Sequence, residues 1–189
     1  MDRRELLKMI AAATGGVVIG GEFFLAGCKN PDAGVGVSST FTESDIAFLD
    51  EVAETIFPKT STPGAKDAKV GQFMTVMVND CYDEKDQKVF REGMNTINDL
   101  SKKDFDKKFM DTTAQQRLQL LTRLDNEQKD YSKTKKHEDP SHYFTLMKQL
   151  TLLGYFNSEI GCTQARRYVP VPGKYEGCIP YKKGDKAFV

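Results

Sequence analysis

The sequence has no tryptophan, two histidines and four cysteines in 189 residues, and each scarcity narrows its chemistry. The cysteines form no CxxC pair of the kind that holds zinc or a cluster, and no CxxCH for covalent haem. His137 and His142 stand in or beside a charged stretch. No cysteine or carboxylate–histidine spacing accompanies them, so both are expected to be solvated rather than metal-bound. GxGxxG, GxxxxGK(S/T) and GxSxG are also missing, which leaves no dinucleotide, phosphate-loop or nucleophile-elbow signature. No catalytic constellation is recognisable. Lys plus Arg equals Asp plus Glu at 27 each, so the basic excess that nucleic acid requires is absent. No uninterrupted apolar run reaches the ~18 residues of a membrane-spanning helix.

What is present begins with a leader. Asp2-Arg3-Arg4-Glu5-Leu6-Leu7-Lys8 resembles the twin-arginine export motif, and Arg3 and Arg4 are its arginine pair. Met9 to Gly21 is uncharged and rich in Ala and Gly. Leu25-Ala26-Gly27-Cys28 then resembles a bacterial lipoprotein box, with Cys28 as the acylated residue. The reading is a signal peptide over 1–27, a Gly/Ser/Pro tether over 28–40 and one domain over 41–189. That places the mature protein on the periplasmic side of a bacterial envelope, lipid-anchored, because acyl chains contribute about 0.8 kcal/mol per buried methylene.

The domain reads as all-α, a small bundle of about five helices with an irregular Pro/Gly/aromatic C-terminal segment. Thr42 is the expected cap of a helix bearing Ile46, Leu49, Val52, Ala53 and Ile56, stopped by Pro58. A second stripe runs through Val70, Phe73, Met74, Met77, Val78 and Cys81, which makes Cys81 a buried thiol. A third helix spans Asp83 to Leu100 with Val89, Phe90, Met94 and Ile97. Phe105, Phe109 and Met110 mark a short turn or helix. Thr112 or Thr113 caps a fourth helix with Leu118, Leu121 and Leu124. Lys129 to Pro140 is expected to be an exposed charged connection. Ser141 opens a fifth helix through Phe144, Met147, Leu150, Leu153 and Phe156, ending near Gly161.

From Cys162 onward, proline and glycine alternate with tyrosine and phenylalanine. Aromatics on an extended segment need a surface, either the domain's own core or a partner; Arg166, Arg167, Tyr168 and Tyr175 are candidates for the latter. Cys162 and Cys178 share this segment, and a disulfide between them would stabilise by about 3 kcal/mol in the chain-entropy model. The odd thiol count also allows another pairing with one thiol facing a partner. A nucleophilic role for Cys81 or Cys162 has no histidine nearby in sequence to support it.

Three stretches carry a family resemblance. They are Glu54-Thr55-Ile56-Phe57-Pro58-Lys59-Thr60-Ser61-Thr62-Pro63-Gly64-Ala65 with Val70-Gly71-Gln72-Phe73, Leu152 through Gly161, and Tyr168-Val169-Pro170-Val171-Pro172-Gly173-Lys174-Tyr175-Glu176-Gly177-Cys178. In that order they resemble the gluconate 2-dehydrogenase subunit 3 family, from about Phe41 onward. The resemblance implies a small helical, non-catalytic subunit. Its partner would be a large FAD-dependent sugar or polyol dehydrogenase of the glucose–methanol–choline type, with a c-type cytochrome often taking the electrons. FAD and the acid-base groups would lie on the large chain, and no cofactor on this one. The small subunit would carry the export signal for the flavoprotein, and the lipobox would add a membrane anchor. Expected partner contacts are Pro58, Pro63, Gly64, Tyr155, Phe156, Arg166, Arg167, Tyr168 and Tyr175. The alternative reading is a stand-alone envelope lipoprotein that binds a sugar or another envelope protein.

Overall fold

The computed structural model describes residues 41–189. Arg3, Arg4, Cys28 and the tether lie outside the described residues. Among those described, five long helices follow one another: α1 (Glu43–Ile56), α2 (Val70–Cys81), α3 (Glu84–Phe105), α4 (Ala114–Thr134) and α5 (Tyr143–Asn157). A 3-10 turn, Phe109–Asp111, sits between α3 and α4, and a π-turn, Gly161–Ala165, follows α5. The fold is an all-α bundle, as the apolar periodicity implies.

Capping residues set most helix starts. Thr42 forms a capping box with Asp45 at α1, Asp83 accepts from the Asp86 N–H at α3, and Thr113 pairs with Gln116 at α4. α3 runs past Leu100 to Phe105 and stops where Asp106 turns left-handed.

α5 packs against all four other long helices. It is apolar nearly all round, as a central helix must be. Phe144, Met147, Leu150, Thr151, Gly154 and Tyr155 are buried along it, facing Leu49, Val52, Val70, Met74, Phe90, Ile97 and Leu124 in one continuous core. Gly154 is a close-approach glycine: a Cβ there would fall 2.6 Å from the Phe73 ring of α2.

Several sequence expectations need correction. α4 continues to Thr134, so Lys129 to Thr134 is helix and only 135–142 connects. The charges of this turn sit on a polar helix face: Lys129 pairs with Asp125 and Lys133 with Asp130. The same turn is pinned from inside by Gln128, which accepts from Thr145 at 2.8 Å. Leu118 and Leu153 are exposed, whereas Leu121, Met147 and Leu150 are buried as expected and Leu120 joins them. Cys81 is the last residue of α2 and lies exposed, since the stripe leaves the core at the helix end.

His142 is also not solvated. Its side chain is 10% exposed and caps α5 in place of Ser141, with Nδ1 accepting from the Phe144 N–H at 3.2 Å. Tyr143 stacks on its ring at 4.4 Å and Tyr131 lies at 5.7 Å. Glu127 Oε1 is 3.8 Å from Nε2. Burial pushes the imidazole below its ordinary pKa, and Glu127 offsets part of that. Only the neutral ring can cap, because protonation turns Nδ1 into a donor facing another donor.

The folded pKa is therefore depressed relative to the unfolded value of 6.5. The cap's contribution is fully present above that pH and is lost as the pH falls through the lowered value. Urea midpoints across pH 5 to 7.5 should show this step, and His142→Asn, which keeps a capping acceptor without titrating, should flatten it.

Candidate functional site

Two regions hold the motifs singled out in the sequence: the loop between α1 and α2, and the arm from Arg166 to Val189.

The loop is a clamped structure. Glu54 on α1 receives both of its ends, the Lys59 N–H at 2.8 Å on Oε1 and the Lys66 N–H at 2.9 Å on Oε2. Asp50, one turn earlier, accepts from the Gly71 N–H at 2.8 Å. α2 has no side-chain cap of its own, because Lys69 holds the cap position in a left-handed conformation, so Asp50 supplies that partner from another helix. Burial raises the Asp50 carboxyl above its ordinary pKa, against the Gly71 bond and the nearby Lys66 charge. Glu51 pairs with Lys66 on one oxygen and Arg117 of α4 on the other. Arg117 also donates to the Phe109 and Met110 carbonyls, tying the 3-10 turn to the same cluster. Asp67 accepts from the Gly64 N–H and pairs with Lys59 at 3.2 Å, which holds its carboxyl below the usual range. From the far side, the Tyr155 hydroxyl donates to the Pro63 carbonyl at 2.7 Å.

This geometry revises the expected contact surface. Gly64 is buried, and a Cβ on it would fall 2.3 Å from Glu54 Oε2, so its smallness serves the clamp. Tyr155 is fully buried and packs on Phe57 with ring centres 4.1 Å apart and planes tilted by 35°, which makes it an internal strut and removes it from any partner surface. Pro63 and Phe156 are half-buried, and Phe156 lies beneath the Arg166 guanidinium at 4.5 Å. Pro58 is exposed at the loop's outer edge. Of the nine expected contacts, Pro58, Arg167, Tyr168 and Tyr175 are the exposed ones.

The arm leaves α5 through the π-turn, where the Arg166 N–H reaches the Gly161 carbonyl at 3.0 Å. It closes on itself through a parallel bridge between Arg167 and Phe188. Arg167 N–H donates to Ala187, Val189 N–H to Arg167 and Val169 N–H to Val189, each within 3.1 Å. The Arg167 guanidinium sits over the Phe188 ring at 4.6 Å. Tyr175 is 95% exposed and Tyr181 75%, so the arm's aromatics do not complete the domain's own core. An open groove of about 870 Å³ runs along it, lined by Arg167, Val169, Pro172, Lys174, Ile179 and Phe188 among others.

Cys162 and Cys178 are free thiols in this structure; the Cys162 Sγ donates to the Phe156 carbonyl at 3.3 Å. Among the described residues no three His, Cys, Asp or Glu side chains group as a metal site. The clamp carboxylates Asp50, Glu51 and Glu54 were missed in the sequence. Their one signal was a run of acids at i, i+1 and i+4 facing a loop rich in Pro and Gly.

Replacing Glu54 by Gln leaves one acceptor for two amides, so Glu54→Gln should destabilise by about 1–2 kcal/mol. Asp50→Asn keeps its Gly71 bond and removes a charge that burial disfavours, so it should change stability by less than about 1 kcal/mol. Denaturant unfolding of both variants at pH 7 measures the difference.

Comparison with known proteins identifies a family. No curated protein and no solved structure matches the chain significantly. The family model for gluconate 2-dehydrogenase subunit 3 matches residues 43–173, from the first residue of α1 into the arm and across the whole clamp. That is well over half of the chain, and with its helical architecture the chain belongs to the gluconate 2-dehydrogenase subunit 3 family.

Proposed function

We propose that this subunit escorts an FAD-dependent sugar or polyol dehydrogenase through twin-arginine export, stabilises it, and anchors it to the membrane on the periplasmic side. The observation that carries the reading is a conjunction in one chain. A family named for a dehydrogenase subunit is joined to a leader whose Arg3-Arg4 pair resembles an export motif and whose Leu25-Ala26-Gly27-Cys28 resembles a lipobox. The twin-arginine route carries proteins already folded, commonly with cofactor in place. A partner without its own leader would therefore need a folded escort. FAD belongs to that large glucose–methanol–choline-type chain, and a c-type cytochrome is its electron acceptor in this scheme. A helical domain with a clamped loop and a continuous core around α5 suits an escort, because its loop and helices are held by contacts within the chain.

The test begins with tagged native protein drawn from gently solubilised membranes. A stoichiometric yellow complex with a flavin spectrum is expected; a colourless lone protein would support the stand-alone lipoprotein instead. Arg3→Lys combined with Arg4→Lys should leave both chains in the cytoplasm, as read by fractionation, and a flavoprotein that still reaches the envelope would exclude the escort role. Cys28→Ala should move the complex to the soluble fraction with its dehydrogenase activity intact.

A further inference from the structure

We propose that the groove of the arm is the seat of an extended, acidic and apolar segment of the flavin-bearing subunit. The inference rests on the subunit reading above and adds the surface and the chemistry of its occupant.

Three independent observations meet at this place. The first is where apolar surface is left over. Of the twelve large hydrophobic residues exposed among the described residues, seven lie from Tyr168 onward: Tyr168, Val171, Tyr175, Ile179, Tyr181, Phe188 and Val189. A concentration of this kind marks an interaction site. The second is shape. The arm is held open without burying those side chains, through the Arg167–Phe188 bridge and a turn in which Lys182 N–H donates to Asp185 at 2.8 Å. A groove already formed lowers the ordering cost of docking. The third is charge. Residues 166–189 carry six Lys or Arg against two Asp or Glu, whereas 41–165 carry seventeen against twenty-one. The chain is thus polarised, with a basic arm on an acidic body. At the groove Arg167 and Lys174 stand beside Glu176, which pairs with Lys174, and Lys182, Lys183 and Lys186 lie further along the arm, so a partner segment bearing carboxylates is drawn to it.

Concavity favours a protein chain over a bilayer. Val169, Ile179 and Phe188 wall a hollow that admits projecting side chains.

The test uses the full chain co-purified with its flavoprotein, with two pairs of substitutions in the arm. Lys174→Glu with Lys183→Glu reverses charge, and Tyr175→Ala with Tyr181→Ala removes aromatic surface that touches no core. Circular dichroism and thermal melting should match those of the native chain. Each pair should weaken binding of the flavoprotein at least tenfold, and the loss from charge reversal should shrink as salt is raised. Native-like binding by both folded variants would overturn the inference and leave the subunit reading standing. Failure of the unaltered chain to bind any flavoprotein would overturn both. If the substitutions instead abolish sedimentation with phosphatidylglycerol vesicles, or turn a dimer into a monomer, while flavoprotein binding persists, the groove serves a membrane or a second copy and the proposal fails.

Discussion

Two backbone amides, those of Lys59 and Lys66, share a single carboxylate, and the placing of the first two helices depends on it. Glu54 stands near the end of α1 and takes one amide on each oxygen, so the loop is closed at its neck. Asp50 extends the same face to the start of α2, where the chain itself offers no cap. Glu51, between them, reaches α4 through Arg117. One face of one helix thereby fixes the loop, the next helix and the approach of a third. Charge-assisted bonds to backbone N–H groups are strong and directional. The loop's shape is therefore a property of α1 more than of its own prolines.

Tyr155 joins this arrangement to the centre of the bundle. Its ring packs on Phe57 and its hydroxyl holds the Pro63 carbonyl. A buried tyrosine needs a partner for its hydroxyl, and here the partner is the loop that Glu54 closes. The two most recognisable stretches of the sequence, one in the loop and one in α5, are thus the two sides of a single contact.

The helices were legible because caps and apolar spacing speak for themselves. Thr42 and Thr113 announce their helices, and Leu49, Met74, Ile97 and Leu124 mark the inner faces. The failures have physical causes. Leu153 and Leu118 lie on apolar-looking stripes, and periodicity reports a face without saying whether another element covers it. The turn from Lys129 to Thr134 reads as a loop because its charges are adjacent in sequence, although ion pairs on one helix face need that density. His142 reads as surface because its neighbours are charged, and its capping role depends on a ring nitrogen that sequence does not orient. Of the site, the arm's aromatic character was visible. The burial of Tyr155 and Gly64 was not, since it depends on which residue the chain brings opposite them.

The closed base of the arm also bears on how this family can vary. Its two sides meet at Arg167 and Phe188, so the stretch between them enters and leaves the bundle at one point. Its length and sequence can change without moving α5 or the clamp, because no helix lies within it. The family model ends at residue 173, just inside this stretch. The helices and the clamp form the frame, and the stretch closed at Arg167 and Phe188 can take up changes beyond the matched residues without disturbing it.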